Sequence, residues 1–178
     1  MEQFDFGKMI ALGVVMDVSK RKEGKESLHF LLRRELIRLI QREQEYIRVF
    51  LHGSQIDRIP DTPGHCISRI TDSRPDEFNV GLALKQTASL ICKYLEDCDR
   101  HVILVTDRYG GRGGDQYDVA SKVSESMMID CCVHVVTVGP YCHANLHGFL
   151  NSESNFSQVR DSAGFGRYLE RFSCQTKR

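Results

Sequence analysis

"MIALGVVMD", residues 9–17, is an apolar run without alternation that ends abruptly in an aspartate. A strand with one face in water alternates apolar and polar residues. A strand buried on both faces does not, and such strands belong to parallel sheets covered by helices. "HVILVTD" (101–107) repeats the pattern and again ends in a carboxylate, while "CCVHVVTVG" (131–139) adds a third β-branched run. "YIRVFLHGS" (46–54) reads as a further strand stopped by Gly53 and Ser54, and "NFSQVR" (155–160) as the last.

Helical periodicities separate these runs. Leu28, Leu32, Leu36, Leu39 and Ile40 recur at 3.6-residue spacing, with Ser27, or Ser19 further back, as the N-cap. Phe30 and Ile37 add a second apolar strip, suited to a helix wedged between a sheet and another element, or to a partner surface. Arg34, Arg38 and Arg42 form an i, i+4 ridge elsewhere on the same helix. Residues 79–98 read as helical, with Val80, Leu84, Leu90, Ile91 and Leu95 largely on one side. Residues 117–130, 144–150 and 165–172 read as helical too. Residues 55–77 carry three of the four prolines, with an edge strand expected at 55–59 and one helical turn near Cys66 to Ile70. Strand and helix alternation predicts an α/β fold: a single doubly wound, mostly parallel sheet flanked by helices, Rossmann-like. One domain is expected over 1–178, with its core at about 9–173.

Bulk composition narrows the function classes. Of the 178 residues 41% are hydrophobic and 27% charged, ordinary for a globular chain. Net charge is zero, so neither a nucleic acid nor a membrane is an expected partner. Residues 20–48 hold nine Lys or Arg against five Glu, a surplus of four, which reads as a solvated helix face. The seven cysteines are odd in number and include no C-x-x-C, so spacing indicates neither a disulfide framework nor a zinc cluster. Cys131 and Cys132, inside a β-branched run, read as small buried thiols. No run approaches the ~20 apolar residues of a membrane span, and residues 1–13 lack the apolar stretch of a signal peptide. The expected setting is intracellular, cytoplasmic or nuclear, and reducing.

Ligands of an open α/β sheet bind beyond the carboxyl ends of its strands. Asp17 and Asp107 both end strands, and the loops after them carry Ser19, Arg21, "GGRGGD" (110–115) and Asp115. From about Gly13 to Phe172 the chain resembles the von Willebrand factor A (vWA) domain family in the order and spacing of its motifs. In that family the first strand ends in Asp-x-Ser-x-Ser, a later helix begins Gly-Thr-x-x-Gly-x-Ala-Leu, and the fourth strand ends in Thr-Asp-Gly. Together these loops hold Mg²⁺ or Mn²⁺ in a metal-ion-dependent adhesion site. Here "DVSKR" keeps Asp17 and Ser19 but has Arg21 for the second serine. "EFNVGLAL" keeps Gly81, Ala83 and Leu84 but has Phe78 for the threonine. "VTDRYGG" keeps Thr106 and Asp107 but has Arg108 for the glycine. "VHVVTVG" resembles the family's penultimate strand. The metal ligands implied by the resemblance are thus Asp17, Ser19 and Asp107, a degenerate set.

The replacements have a physical reading of their own. Mg²⁺ demands near-octahedral oxygen ligands, and Phe78 supplies none. Arg21 adds a permanent positive charge. A guanidinium can satisfy both aspartates through charge-assisted hydrogen bonds and serve as a built-in counter-ion. No cofactor is expected on this reading. Should Arg21 point into solvent with Lys20 and Lys22, a weak Mg²⁺ or Mn²⁺ site stays open.

Other chemistry is thinner. "GGRGGD" offers backbone N–H groups, yet matches neither a P-loop nor a dinucleotide fingerprint, so a flexible surface loop is favoured. The histidines at 29, 52, 65, 101, 134, 143 and 147 show no ligand spacing on one element except His143 and His147, and surface histidines are the favoured reading. No histidine can be placed beside Ser19, so a triad is not supported. The expectation is a non-catalytic, intracellular interaction or scaffold module, with other protein subunits as partners and a homo-oligomer allowed. Its contact candidates are Arg21, Phe78, Asn79, Arg108 and Asp115 at the loop end, with the Arg34, Arg38, Arg42 ridge as a secondary surface. Two alternatives stay open: a Mg²⁺- or Mn²⁺-dependent ligand-binding domain, and a small phosphohydrolase using Asp17 and Asp107.

Overall fold

Ile10 to Asp17 are buried without interruption, as a central strand of a doubly covered sheet requires. A computed structural model of the chain describes residues 9–19, 21–43, 46–53, 69–72, 79–94, 98–107, 131–139 and 155–176. In chain order they form β1 (Met9–Asp17), β2 (Lys22–Glu23), β3 (Glu26–Ser27), α1 (Leu28–Glu43), β4 (Ile47–Gly53) and β5 (Arg69–Asp72). Then follow α2 (Val80–Tyr94), β6 (Cys98–Thr106), β7 (Cys132–Val138), β8 (Phe156–Val159) and α3 (Ser162–Thr176). The main sheet has the order β5-β4-β1-β6-β7-β8, and every neighbouring pair in it is parallel. Strands β2 and β3 make a two-stranded antiparallel hairpin apart from it.

Strand order reverses at β1, whose neighbours are β4 on one side and β6 on the other. Right-handed crossovers that advance in opposite directions put their helices on opposite faces. Ile10, Leu12, Val14 and Met16 accordingly share one core with α1 and α3, while Ala11 and Val15 share the other with α2. Gly13 sits in the second row because α2 comes close: a Cβ there would overlap the Thr87 methyl and lie 2.7 Å from Ile91 Cδ1.

The Leu28, Leu32, Leu36, Leu39, Ile40 face of α1 is buried, and Ser27 caps the helix, its Oγ accepting the Phe30 N–H at 3.2 Å. The element that wedges α1 from behind is α3. Glu43 accepts a buried hydrogen bond from Ser173 at 3.1 Å, and Gly166 lets α3 approach so closely that a Cβ would lie 2.5 Å from Glu35 Oε2.

Several boundaries differ from expectation. Arg69 and Ile70 are strand, paired with Phe50 and Leu51 of β4, where a helical turn was expected; the edge of the sheet claims them. Residues 55–59 lie outside the described residues. β6 begins at Cys98 because its ladder with β1 starts at Met9, three residues before His101. On α2, Ala83, Thr87 and Ala88 are buried beside Val80, Leu84 and Ile91, Leu90 is only half-buried, and Leu95 lies outside the described residues. α3 starts at Ser162, since Asp161 caps it by accepting the Gly164 N–H at 2.8 Å. No described helix is long and apolar enough to cross a membrane.

Candidate functional site

Strand order reverses around β1, and sheets of this kind bind ligands beyond the carboxyl ends of the strands at such a point. Asp17 is the last residue of β1 and pairs with Thr106, so Asp107 is the next residue along the neighbouring strand. Asp17 is buried, and the Asp107 side chain is 1% exposed. Buried carboxylates are stable only when hydrogen-bonded. Ser19 provides this for Asp107: its N–H donates to Oδ1 at 2.7 Å and its hydroxyl to Oδ2 at 2.5 Å. One residue thereby closes both oxygens of the carboxylate.

Arg21 turns toward the same place. Its Nε stands 3.9 Å from Asp107 Oδ2, and its guanidinium lies over Gly139 at the end of β7. A Cβ on Gly139 would come within 3.0 Å of Arg21 Nη1, and the φ of +121° at Gly139 also favours glycine. The contact with Asp107 is a charge contact beyond hydrogen-bond length. The hydrogen bonds that the sequence reading assigned to the guanidinium at Asp107 are made by Ser19 instead.

The segment carrying Arg21 is tied down on both sides. Its carbonyl accepts the Leu28 N–H at 2.9 Å, closing the β2–β3 hairpin, which turns at Gly24 with φ +68°. Glu23 of the hairpin accepts the Ser162 N–H at 3.1 Å and also the Ser162 hydroxyl. A carboxylate at the first turn of α3 meets the positive end of the helix dipole. The hairpin is thus strapped across to α3, and Arg21 is held over the strand ends.

The other candidates divide. Asn79 is committed locally: its Oδ1 accepts the Leu82 N–H at 2.9 Å and caps α2. Leu82, one turn on, is the exposed large hydrophobic among the described residues, and the sequence reading passed over it. Phe78, Arg108 and Asp115 lie outside the described residues, as do the 110–115 loop, His143 and His147. The arginine ridge is matched by carboxylates: Arg34 with Glu26 at 3.4 Å, Arg38 with Glu35 at 2.7 Å, and Arg42 with Glu170 of α3 at 3.2 Å.

No family model matches the sequence, and a search of curated proteins finds no match. Solved structures do resemble it. The pilus adhesin SpaC from Lactobacillus rhamnosus GG, in its open conformation, superposes with a TM-score of 0.60 at 11% identity, over 96% of this chain and 31% of SpaC. Proximal thread matrix protein 1 from the mussel byssus superposes with a TM-score of 0.58 at 12% identity, over 94% of this chain and 46% of that protein. The fold is a Rossmann-like α/β parallel sheet. The chain spans less than half the length of either protein, and at such identities the likeness is one of fold alone.

Proposed function

We propose that this chain is a non-catalytic protein-interaction module on a vWA-like fold, in which Arg21 stands in for the divalent cation and the loop end contacts other subunits of an intracellular assembly. The observation that carries this reading is the position of the Arg21 guanidinium, over Gly139 and 3.9 Å from a carboxylate that Ser19 already closes. Of the three implied ligands, Ser19 and Asp107 are spent on each other. A divalent ion ~4 Å from the guanidinium would meet about 8 kcal/mol of repulsion at an effective dielectric of 20. The residues present therefore fit a built-in cation better than a bound one.

An interaction role is further supported by what the same edge offers a partner. Leu82 is 54% exposed on the first turn of α2, and the Arg21 side chain is itself 37% exposed. Exposed apolar side chains and arginines are both residue types that protein interfaces use.

The test is a calorimetric titration of Mg²⁺ and Mn²⁺ into chelator-treated protein, with Arg21→Ser alongside. Silence in the wild type with heat in the variant supports the reading. Micromolar binding by the wild type overturns it in favour of a metal-dependent ligand-binding domain. Turnover of a phosphate ester that Asp17→Asn abolishes overturns it in favour of a phosphohydrolase.

A further inference from the structure

Near the amino ends of β6 and β7, on the face covered by α3, three side chains with metal-binding atoms meet. His101 of β6 lies opposite Cys132 of β7 in the parallel ladder, and His134 follows two residues later on the same face. His101 Nδ1 and His134 Nε2 are 3.1 Å apart, and one ring nitrogen of each histidine and Cys132 Sγ lie within 4.8 Å of one another. Two nitrogens bound to tetrahedral Zn²⁺ at 2.0–2.1 Å stand about 3.3 Å from each other, so the imidazoles are already spaced as ligands would be.

The surroundings fit a metal centre in three further ways. Phe172 presses on both imidazoles edge to face, at centroid distances of 5.2 and 5.4 Å, and holds their orientation. Asn155 Nδ2 donates to Cys132 Sγ at 3.6 Å, the kind of outer hydrogen bond that steadies a thiolate ligand. A cavity of about 240 Å³, lined by His134, Asn155, Tyr168, Arg171 and Phe172 among others, opens on the His134 side of the cluster. Burial, aided by the neighbouring His101, lowers the His134 pKa to about 4; burial also lowers that of His101, the Asp99 charge opposing. Burial raises the Cys132 pKa against the Asn155 hydrogen bond, so a metal would have to displace its proton.

We infer that His101 Nδ1, Cys132 Sγ and His134 Nε2 are a three-ligand site for Zn²⁺, with the fourth position open to the cavity. Two imidazoles and a thiolate form a borderline-to-soft set that selects Zn²⁺ or Co²⁺ over Mg²⁺ and Ca²⁺. Three protein ligands and one open position are the arrangement of a site that takes water or an exogenous ligand. Arg171 at the cavity wall favours an anionic one. This site stands near the amino ends of the strands, whereas Asp17, Arg21 and Asp107 stand at the carboxyl ends, and it does not depend on how they are read.

The experiment uses the full chain stripped with chelator. Co²⁺ is added first, and Zn²⁺ is then titrated calorimetrically with and without excess Mg²⁺. The expected result is one equivalent of Co²⁺ giving a thiolate-to-cobalt charge-transfer band and the intense visible bands of four-coordination, displaced by Zn²⁺ and unaffected by Mg²⁺. Cys132→Ser abolishes the charge-transfer band and weakens Zn²⁺ by more than about 100-fold, while Cys131→Ser, one residue away, keeps both. Asn155→Ala weakens Zn²⁺ by about tenfold, as loss of an outer-shell partner does. Absence of the band in the wild type overturns the assignment and leaves a simple histidine–histidine hydrogen bond. So does its persistence in Cys132→Ser, which would place the binding at another thiol.

Discussion

Replacing Ser19 by alanine is the sharpest probe of the loop end, because one hydroxyl there answers for one oxygen of a buried carboxylate. The Ser19 Oγ bond to Asp107 Oδ2 is 2.5 Å long, and the acceptor's side chain is 1% exposed. A hydrogen bond to a charged group contributes about 1.5–3 kcal/mol net, and water reaches this oxygen poorly. One rescue is at hand. Arg21 Nε stands 3.9 Å from the same oxygen and needs to move about 1 Å to hydrogen-bond it. The side chain is long and partly exposed, so the move recovers up to about 1 kcal/mol. The expected net loss is about 2 kcal/mol, a fall in Tm of about 4–8 °C for a chain of this size.

That rescue makes the prediction specific. In the Ser19→Ala, Arg21→Ser double variant it is unavailable, so the pair loses about 1 kcal/mol more than the sum of the singles. Added salt should also destabilise Ser19→Ala more than the wild type, since the load has passed to a partly exposed ion pair. Thermal unfolding followed by circular dichroism at two ionic strengths measures both effects. A single variant within about 0.5 kcal/mol of the wild type would refute the closed carboxylate, because such a small change is what a surface substitution gives. Strict additivity would refute the role given to Arg21.

Two further predictions concern what positions that edge. Gly13→Ala drives a Cβ into the Thr87 methyl and to 2.7 Å from Ile91 Cδ1, where about 3.5–4 Å is normal, so urea unfolding should show a loss of about 1–3 kcal/mol that Thr87→Ser restores in part. An unchanged midpoint would mean that α2 does not press on β1 at this point. Glu23→Ala cuts the strap between the hairpin and α3, with an expected cost of about 1–2 kcal/mol and faster amide exchange at Ser162 and Gly164; exchange unchanged at both would show that the strap holds nothing.

What the sequence disclosed and what it hid follow from the range of the signals. Strand β1 announced itself because both of its faces are buried, so every position carried the same message. The apolar face of α1 was legible for a similar reason, being wide and backed by leucines. The edge strand β5 was missed because its reason lies in the β4 ladder and not in its own residues. The start of α3 was missed because Gly164 and Gly166 argue against a helix locally, while Asp161 and the close approach to Glu35 argue for one in three dimensions. At the loop end, Asp17, Ser19 and Asp107 were legible as strand-end residues, but the direct closure of Asp107 by Ser19 was not, since it joins residues 88 positions apart. His101, Cys132 and His134 stayed hidden because two strands share the set. The trace of it was Cys132-x-His134, which on a strand, unlike a helix, places both side chains on one face.

The two ends of the sheet meet an electrostatic demand in different ways. Asp17 and Asp107 stand beside each other at neighbouring strand ends, and like charges brought close in a buried setting repel. Placing Asp17 at the end of β1 and Asp107 just after β6 therefore favours a positive charge near the switch point. An ion supplies it only while it is bound, stabilising the fold by an amount that rises and falls with its free concentration. A guanidinium in the following loop supplies it at every concentration, provided the loop is held in place, and here the hairpin and its Glu23–Ser162 strap do the holding. On the proposed reading, a module built this way would present the same loop surface whatever the surrounding Mg²⁺ level. The cluster of His101, Cys132 and His134 near the amino ends offers imidazole and thiol atoms instead, a set suited to a different class of metal.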